Sequence, residues 1–86
     1  MGKMIIEIKC PTLLENFEFR ISEKLNVSEG IEKIIEEIRE FTGNEKLFED
    51  SEKVSLFSGR KNMLLNRNMT FSENDVRSGD TLMILC

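Results

Sequence analysis

The closing stretch Phe71-Ser-Glu-Asn-Asp-Val-Arg-Ser-Gly-Asp-Thr-Leu-Met-Ile-Leu-Cys86 constrains the fold more than any other part of the chain. Ser72 and Asp75 have the spacing of a capping box, in which a hydroxyl and an acidic side chain satisfy the free amides of a first helical turn. Phe71 and Val76 are the apolar residues that would hold this turn against a core. Ser78-Gly79 then marks a tight turn, since glycine takes positive φ without steric cost. Asp80–Leu85 alternates, with Leu82 and Ile84 facing inward, the period of a strand. The order reads as the closing of a sheet begun earlier in the chain.

The beginning of that sheet is legible. Met1–Cys10 reads as a charged, alternating strand, with Met4, Ile6, Ile8 and Cys10 on one face and Lys3, Ile5, Glu7 and Lys9 on the other. Pro11 lacks the N–H that a ladder needs and ends it. Thr12–Asn16 is a hairpin connection, and Phe17–Ile21 alternates again with Phe17, Phe19 and Ile21 inward. Asn26 caps a helix, and Glu29 completes a pair resembling a capping box. Val27, Ile31, Ile34, Ile35, Ile38 and Phe41 recur at helical spacing, opposite a face carrying Glu29, Glu32, Lys33, Glu36, Glu37 and Glu40. Gly43 ends the helix. Gly30 costs the helix about 1 kcal/mol relative to alanine and predicts the close approach of a strand. Asn44–Glu52 is a polar loop pinned by Leu47 and Phe48. Lys53–Phe57 is a third strand with Val54 and Leu56 inward. Ser58–Lys61 is a turn, Met63–Leu65 a short edge strand, and Arg67-Asn68 begins the crossing to the closing stretch. The chain is one domain, 1–86, of class α+β, in the order ββαββ, helical turn, β.

Charge and chemistry narrow the function. The net charge is −4 and no cluster of lysine and arginine stands out, which argues against nucleic acid and anionic membranes as partners. No apolar run approaches the roughly 20 residues that span a bilayer, no signal peptide is visible, and the expected location is cytoplasmic. There is no histidine, so the commonest general base and metal ligand is missing. The five glycines are scattered and form no phosphate loop. The acidic residues read as a solvated surface. The expectation is a non-enzymatic protein with no catalytic residue, metal or cofactor.

These elements in this order resemble the β-grasp, or ubiquitin-like, fold. The resemblance implies a five-stranded mixed sheet of order 2-1-5-3-4 with one helix packed across one face. Within that fold, Phe17-Glu-Phe-Arg-Ile-Ser22 and Thr70–Leu85 resemble the corresponding segments of small bacterial proteins of the YukD/EsaB type. That resemblance implies an accessory or regulatory role in bacterial type VII secretion, the export of small helical WXG-type proteins. Ubiquitin and the sulfur carriers extend their last strand into a Gly-Gly tail. This sequence places Leu85-Cys86 there instead, which predicts neither conjugation nor sulfur transfer. A general ubiquitin-like adaptor unrelated to secretion, and a degenerate sulfur carrier, are the alternative readings.

The implied strand order makes strands one and five parallel neighbours. Cys10 and Cys86, at strand ends of like parity, are then expected near each other, as two small hydrophobes at the core rim rather than a disulfide. It also sets Ile5, Phe57, Met83 and Leu85 on the sheet face away from the helix, as one apolar patch rimmed by Lys3, Lys9 and Lys53. A continuous exposed apolar patch marks an interaction site. The expected partners are proteins, secretion-machinery components among them, and the expected state is a monomer or weak homodimer. Such a dimer would form through the patch or the short fourth strand.

Overall fold

The computed structural model describes residues 2–86. The strand expected over Met1–Cys10 runs from Lys3 to Cys10 (β1), while Met1 lies outside the described residues. Its alternation is strict, with Met4, Ile6, Ile8 and Cys10 buried and the residues between them exposed. A 3-10 turn over Pro11–Leu13 reverses the chain, closed by the Leu14 N–H donating to Pro11 O at 3.1 Å. Leu14 takes the left-handed conformation, φ 55°. The second strand, Glu15–Ser22 (β2), starts earlier than its apolar alternation suggested and pairs with β1 in unbroken antiparallel register from Lys3↔Ser22 to Cys10↔Glu15.

Asn26 caps the helix Val27–Thr42 (α1), its Oδ1 accepting from the Ser28 N–H at 3.1 Å and the Ser28 hydroxyl at 2.8 Å. Ser28, rather than the expected Glu29, makes the second contact, because its short hydroxyl reaches the cap without leaving the first turn. Gly43 ends α1 at φ 73°, donating its N–H to Arg39 O. Val27, Ile31, Ile34, Ile35 and Ile38 are buried against the sheet. Phe41, expected on the same stripe, is 68% exposed. It lies in the last turn and meets Phe17 edge-on, with ring centroids 5.2 Å apart.

Ser51–Lys53 is a 3-10 turn, so the third strand is shorter than expected, Ser55–Ser58 (β3). Met63–Leu64 (β4) and Thr81–Leu85 (β5) complete one five-stranded sheet of order β2-β1-β5-β3-β4. β1 and β5 are parallel and the other neighbours antiparallel. With α1 across one face, this is the ubiquitin-like β-grasp fold. Its core joins Ile6, Ile8, Leu56 and Leu82 from the sheet to the isoleucines of α1 and to Phe71, which is fully buried.

Two expectations about the crossing into β5 are corrected. The capping box belongs to Thr70 and Glu73, not Ser72 and Asp75: the Glu73 N–H donates to Thr70 Oγ1 at 3.0 Å and the Thr70 N–H to Glu73 Oε1 at 2.9 Å. The turn it starts is brief, closed by the Asn74 N–H donating to Thr70 O, and stops at Asp75, φ 59°. The element that closes on Gly30 is no strand but the ring of Phe71. An added Cβ at Gly30 would stand 2.5 Å from that ring.

The cysteines separate. Cys10 is buried and Cys86 exposed, and both are free thiols. The β1–β5 ladder aligns Lys9 with Met83, which leaves Cys86 offset from Cys10 by two positions along the strands, about 6–7 Å. Cys10 is the small core hydrophobe expected of it, whereas Cys86 lies past the end of β5.

Candidate protein-binding face

The sheet face opposite α1 is organised by register. Met83 on β5 pairs with Phe57 on β3, and Phe57 pairs with Leu64 on β4. On the other side Met83 pairs with Lys9 of β1. Lys9, Met83, Phe57 and Leu64 thus form one row across four strands. Met83 and Phe57 are half-buried and Leu64 is 52% exposed. Leu85 is the next outward residue on β5, beside Ser55.

Ile5, expected in this patch, lies elsewhere on the face. β1 and β5 run parallel, so the start of β1 aligns with the approach to β5 and not with its end. The Gly79 N–H donates to Ile5 O at 2.7 Å, and the Ile5 N–H donates to Ser78 Oγ at 3.0 Å. Between Ile5 and Met83 comes a polar row in which Glu7 pairs with Thr81, whose hydroxyl donates to Glu7 Oε1 at 3.2 Å. Of the three rim lysines, Lys9 flanks the patch directly. Lys3 pairs with Ser22 near Ile5, and Lys53 sits in the 3-10 turn within 3.8 Å of Asp50. Leu64 is the patch residue that sequence reasoning missed. Its parity becomes visible only through the register with Phe57.

A shallow depression of about 430 Å³ indents this face beside Phe57 and Met83, bordered by Lys9, Thr81, Gly59 and Arg60. Arg60 is held in place. Its Nε donates to Asp80 Oδ1 at 3.1 Å and its Nη2 to Asp80 Oδ2 at 3.1 Å, and Nη2 also donates to the Asp75 carbonyl. Lys61 Nζ donates to Asp75 Oδ2 at 3.2 Å, and Arg77 Nε lies 3.6 Å from Asp75 Oδ1. Burial pushes the Asp80 carboxyl up, but hydrogen bonds from Arg60 and the Arg77 N–H outweigh it and hold the group below the usual carboxylate range. The Lys61 hydrogen bond, followed by the charge of Arg77, holds Asp75 low as well. The Arg60 guanidinium is stabilised in turn, mainly by its hydrogen bond to Asp80. The network ties the β3–β4 turn to the approach to β5.

The acidic face of α1 is a solvated surface, with Glu29, Glu32, Glu36, Glu37 and Glu40 all exposed. Arg39 leaves that face and donates to Leu47 O at 2.6 Å and Phe48 O at 2.8 Å, which fastens the loop after α1. Among the described residues, no group of histidine, cysteine, aspartate or glutamate is placed to hold a metal ion. No helix among them is long and apolar enough to cross a membrane. The chemistry on offer is apolar contact beside the Lys9 ammonium and the fixed Arg60–Asp80 ion pair.

Solved structures place this architecture among ubiquitin-like domains. The chain is similar to the EccD5 ubiquitin-like domain from Mycobacterium xenopi, with TM-score 0.77 and 15% identity over 99% of this chain and 94% of that one. It is similar to the ubiquitin-like domain of the Arabidopsis thaliana protein At2g32350, with TM-score 0.72 and 16% identity over 99% of this chain and 78% of that one. A designed protein based on ubiquitin matches at TM-score 0.68 and 18% identity, over 98% of this chain and 88% of its own. At these identities the likeness is one of fold. No protein-family model and no curated protein matches the chain.

Proposed function

We propose that this ubiquitin-like domain acts by binding another protein through the outer sheet face, in the cytoplasm, and does no chemistry of its own. The observation that carries the reading is the row Met83, Phe57, Leu64 with Leu85 beside it, apolar and open to solvent, next to Lys9 and Arg60. Apolar surface of this kind gains free energy when a partner removes it from water, at roughly 25 cal/mol per Å². The absence of catalysis is supported by the groups with shifted titration, Arg60, Asp75 and Asp80, which satisfy one another in a structural network. The net charge of −4 disfavours nucleic acid, and Lys9 beside the apolar row is the cation placed to meet a partner's carboxylate.

The biological context we infer is an accessory or regulatory role in a type VII-like secretion system. It rests on the resemblance of Phe17–Ser22 and Thr70–Leu85 to the YukD/EsaB type. The EccD5 likeness adds fold alone.

The test is a pull-down from the native organism's lysate with wild type and the Phe57→Ser/Leu85→Ser variant, both first checked for folding by circular dichroism. Wild type is expected to recover secretion-machinery proteins, and the variant to lose most of them. Equal recovery by both proteins would move the binding site off this face. Recovery of an adenylating enzyme would point instead to carrier chemistry.

A further inference from the structure

The two edges of the sheet differ. β4 has two residues, whereas β2 has eight and pairs with β1 along its whole length without a bulge. A long, regular edge presents free main-chain donors and acceptors, and proteins ordinarily blunt it with charged side chains, lysine above all, or with proline, a bulge or an inward charge. The Glu-Asn-Phe-Glu-Phe-Arg-Ile-Ser sequence of β2 has no lysine or proline, and its central inward residues are Phe17, Phe19 and Ile21.

Which main-chain groups face the open edge follows from the pairing with β1. The Glu23 N–H donates to Gly2 O at 2.6 Å, which makes Gly2 and Glu23 a hydrogen-bonded pair. Antiparallel ladders alternate. The odd-numbered residues of β2 therefore turn their main-chain groups to β1, and Asn16, Glu18, Arg20 and Ser22 turn theirs to the edge, where the Ser22 carbonyl already accepts from the Leu25 N–H at 3.0 Å. The side chains of these four lie on the sheet face away from α1.

The charges on that strand select the occupant. Glu18 sits directly across from Glu7, a like-charged pair that is unfavourable at this spacing. Neither Glu18 nor Arg20 takes part in an ion pair among the described residues. The geometry points to a second copy of this chain, paired antiparallel through β2 with Phe19 opposite Phe19 of the second copy. In that register Glu18 faces Arg20 of the second copy and Arg20 faces its Glu18, so each acid beside Glu7 gains a cation. The adjacent registers that keep both helices on one face fail. Centring on Glu18 opposes two glutamates, and centring on Arg20 opposes two arginines. Registers between these flip every side chain to the wrong face. On the helix side Phe17 meets Ile21 of the second copy, next to Phe41, whose 68% exposure leaves apolar surface at the seam.

Sedimentation equilibrium on the full chain tests this, at protein concentrations up to about 1 mM because an edge pairing buries less than a standard interface. Wild type is expected to dimerise, and Glu18→Arg and Arg20→Glu each to weaken association by about tenfold, since each opposes like charges twice across the axis. The double variant E18R/R20E restores the complementarity and is expected to recover wild-type association. Glu18→Arg also relieves the contact with Glu7, so its monomer is expected to melt at or above the wild-type temperature while it dimerises less. A folding defect cannot produce those opposite movements. A wild type that stays monomeric at about 1 mM, or a dimer indifferent to both single swaps, overturns the proposal.

Discussion

A methyl group added at Gly30 would stand 2.5 Å from the Phe71 ring, and that ring is fully buried. Two effects oppose each other there. Alanine improves helix propensity by about 1 kcal/mol, while overpacking a filled core costs about 1–3 kcal/mol. The ring has no solvent to retreat into, so the clash is expected to win. Gly30→Ala should lower the melting temperature by several degrees, on the scale of about 4–8 °C per kcal/mol for a domain of this size. In a Phe71→Leu background, which removes the colliding ring atoms, the same change should be neutral or stabilising. Thermal melts of the four proteins check this, and a stabilised Gly30→Ala single variant would show that the ring relocates freely. The sequence signalled that something approaches Gly30, because glycine in a helix needs a reason. Phe71 is 41 positions away along the chain, and no local pattern names it.

Two side chains hold elements together across loops. Arg39 fastens the segment after α1 through the Leu47 and Phe48 carbonyls. Arg39→Ala should leave the sheet intact but raise amide exchange over residues 44–50, since Phe48 at φ 53° then loses a hydrogen bond that holds its carbonyl. Uniform exchange across the domain would contradict this. Arg60 joins the β3–β4 turn to Asp75 and Asp80. Both carboxyls titrate below their ordinary value. A carboxylate with a depressed folded pKa adds stability that is fully present above its unfolded pKa and is lost as pH falls through the folded one. The melting temperature should hold from about pH 7 to about pH 5 and fall below about pH 4. Arg60→Ala should melt lower at neutral pH, and its deficit should shrink as the acids protonate. A deficit that is constant with pH would assign Arg60 a packing role only. At this scale the strands, the helix and its caps were legible, because alternation, the 3.6 period and Gly43 act within a few residues. The third strand was read too long because Lys53 and Val54 continue its pattern while the backbone turns through Ser51–Lys53. The capping box was misplaced because T-x-x-E and S-x-x-D overlap in Thr70-Phe-Ser-Glu-Asn-Asp75, and spacing alone does not choose between them.

At the scale of the molecule the two proposed surfaces are separate. The apolar row lies over β5, β3 and β4, and the open edge of β2 lies beyond β1. Extending the sheet through β2 leaves Phe57 and Met83 uncovered. Glu18→Arg should therefore keep its partners in the pull-down, and Phe57→Ser/Leu85→Ser should keep its self-association. Loss of both activities in either variant would merge the surfaces into one. By itself the sequence determined the element order, the inward faces of β1, β2, β3 and β5, the apolar stripe of α1 as far as Ile38 and the places where the chain reverses. Each of these depends on interactions between residues a few positions apart. The tertiary structure decided the site. The parallel alignment of β1 with β5 carries Ile5 away from Met83, the β3–β4 register brings in Leu64, and the crossing into β5 delivers Asp75 and Asp80 to Arg60. Register between strands far apart in the chain is set by packing and connection geometry, and a period-two pattern is the same whichever register the strand adopts.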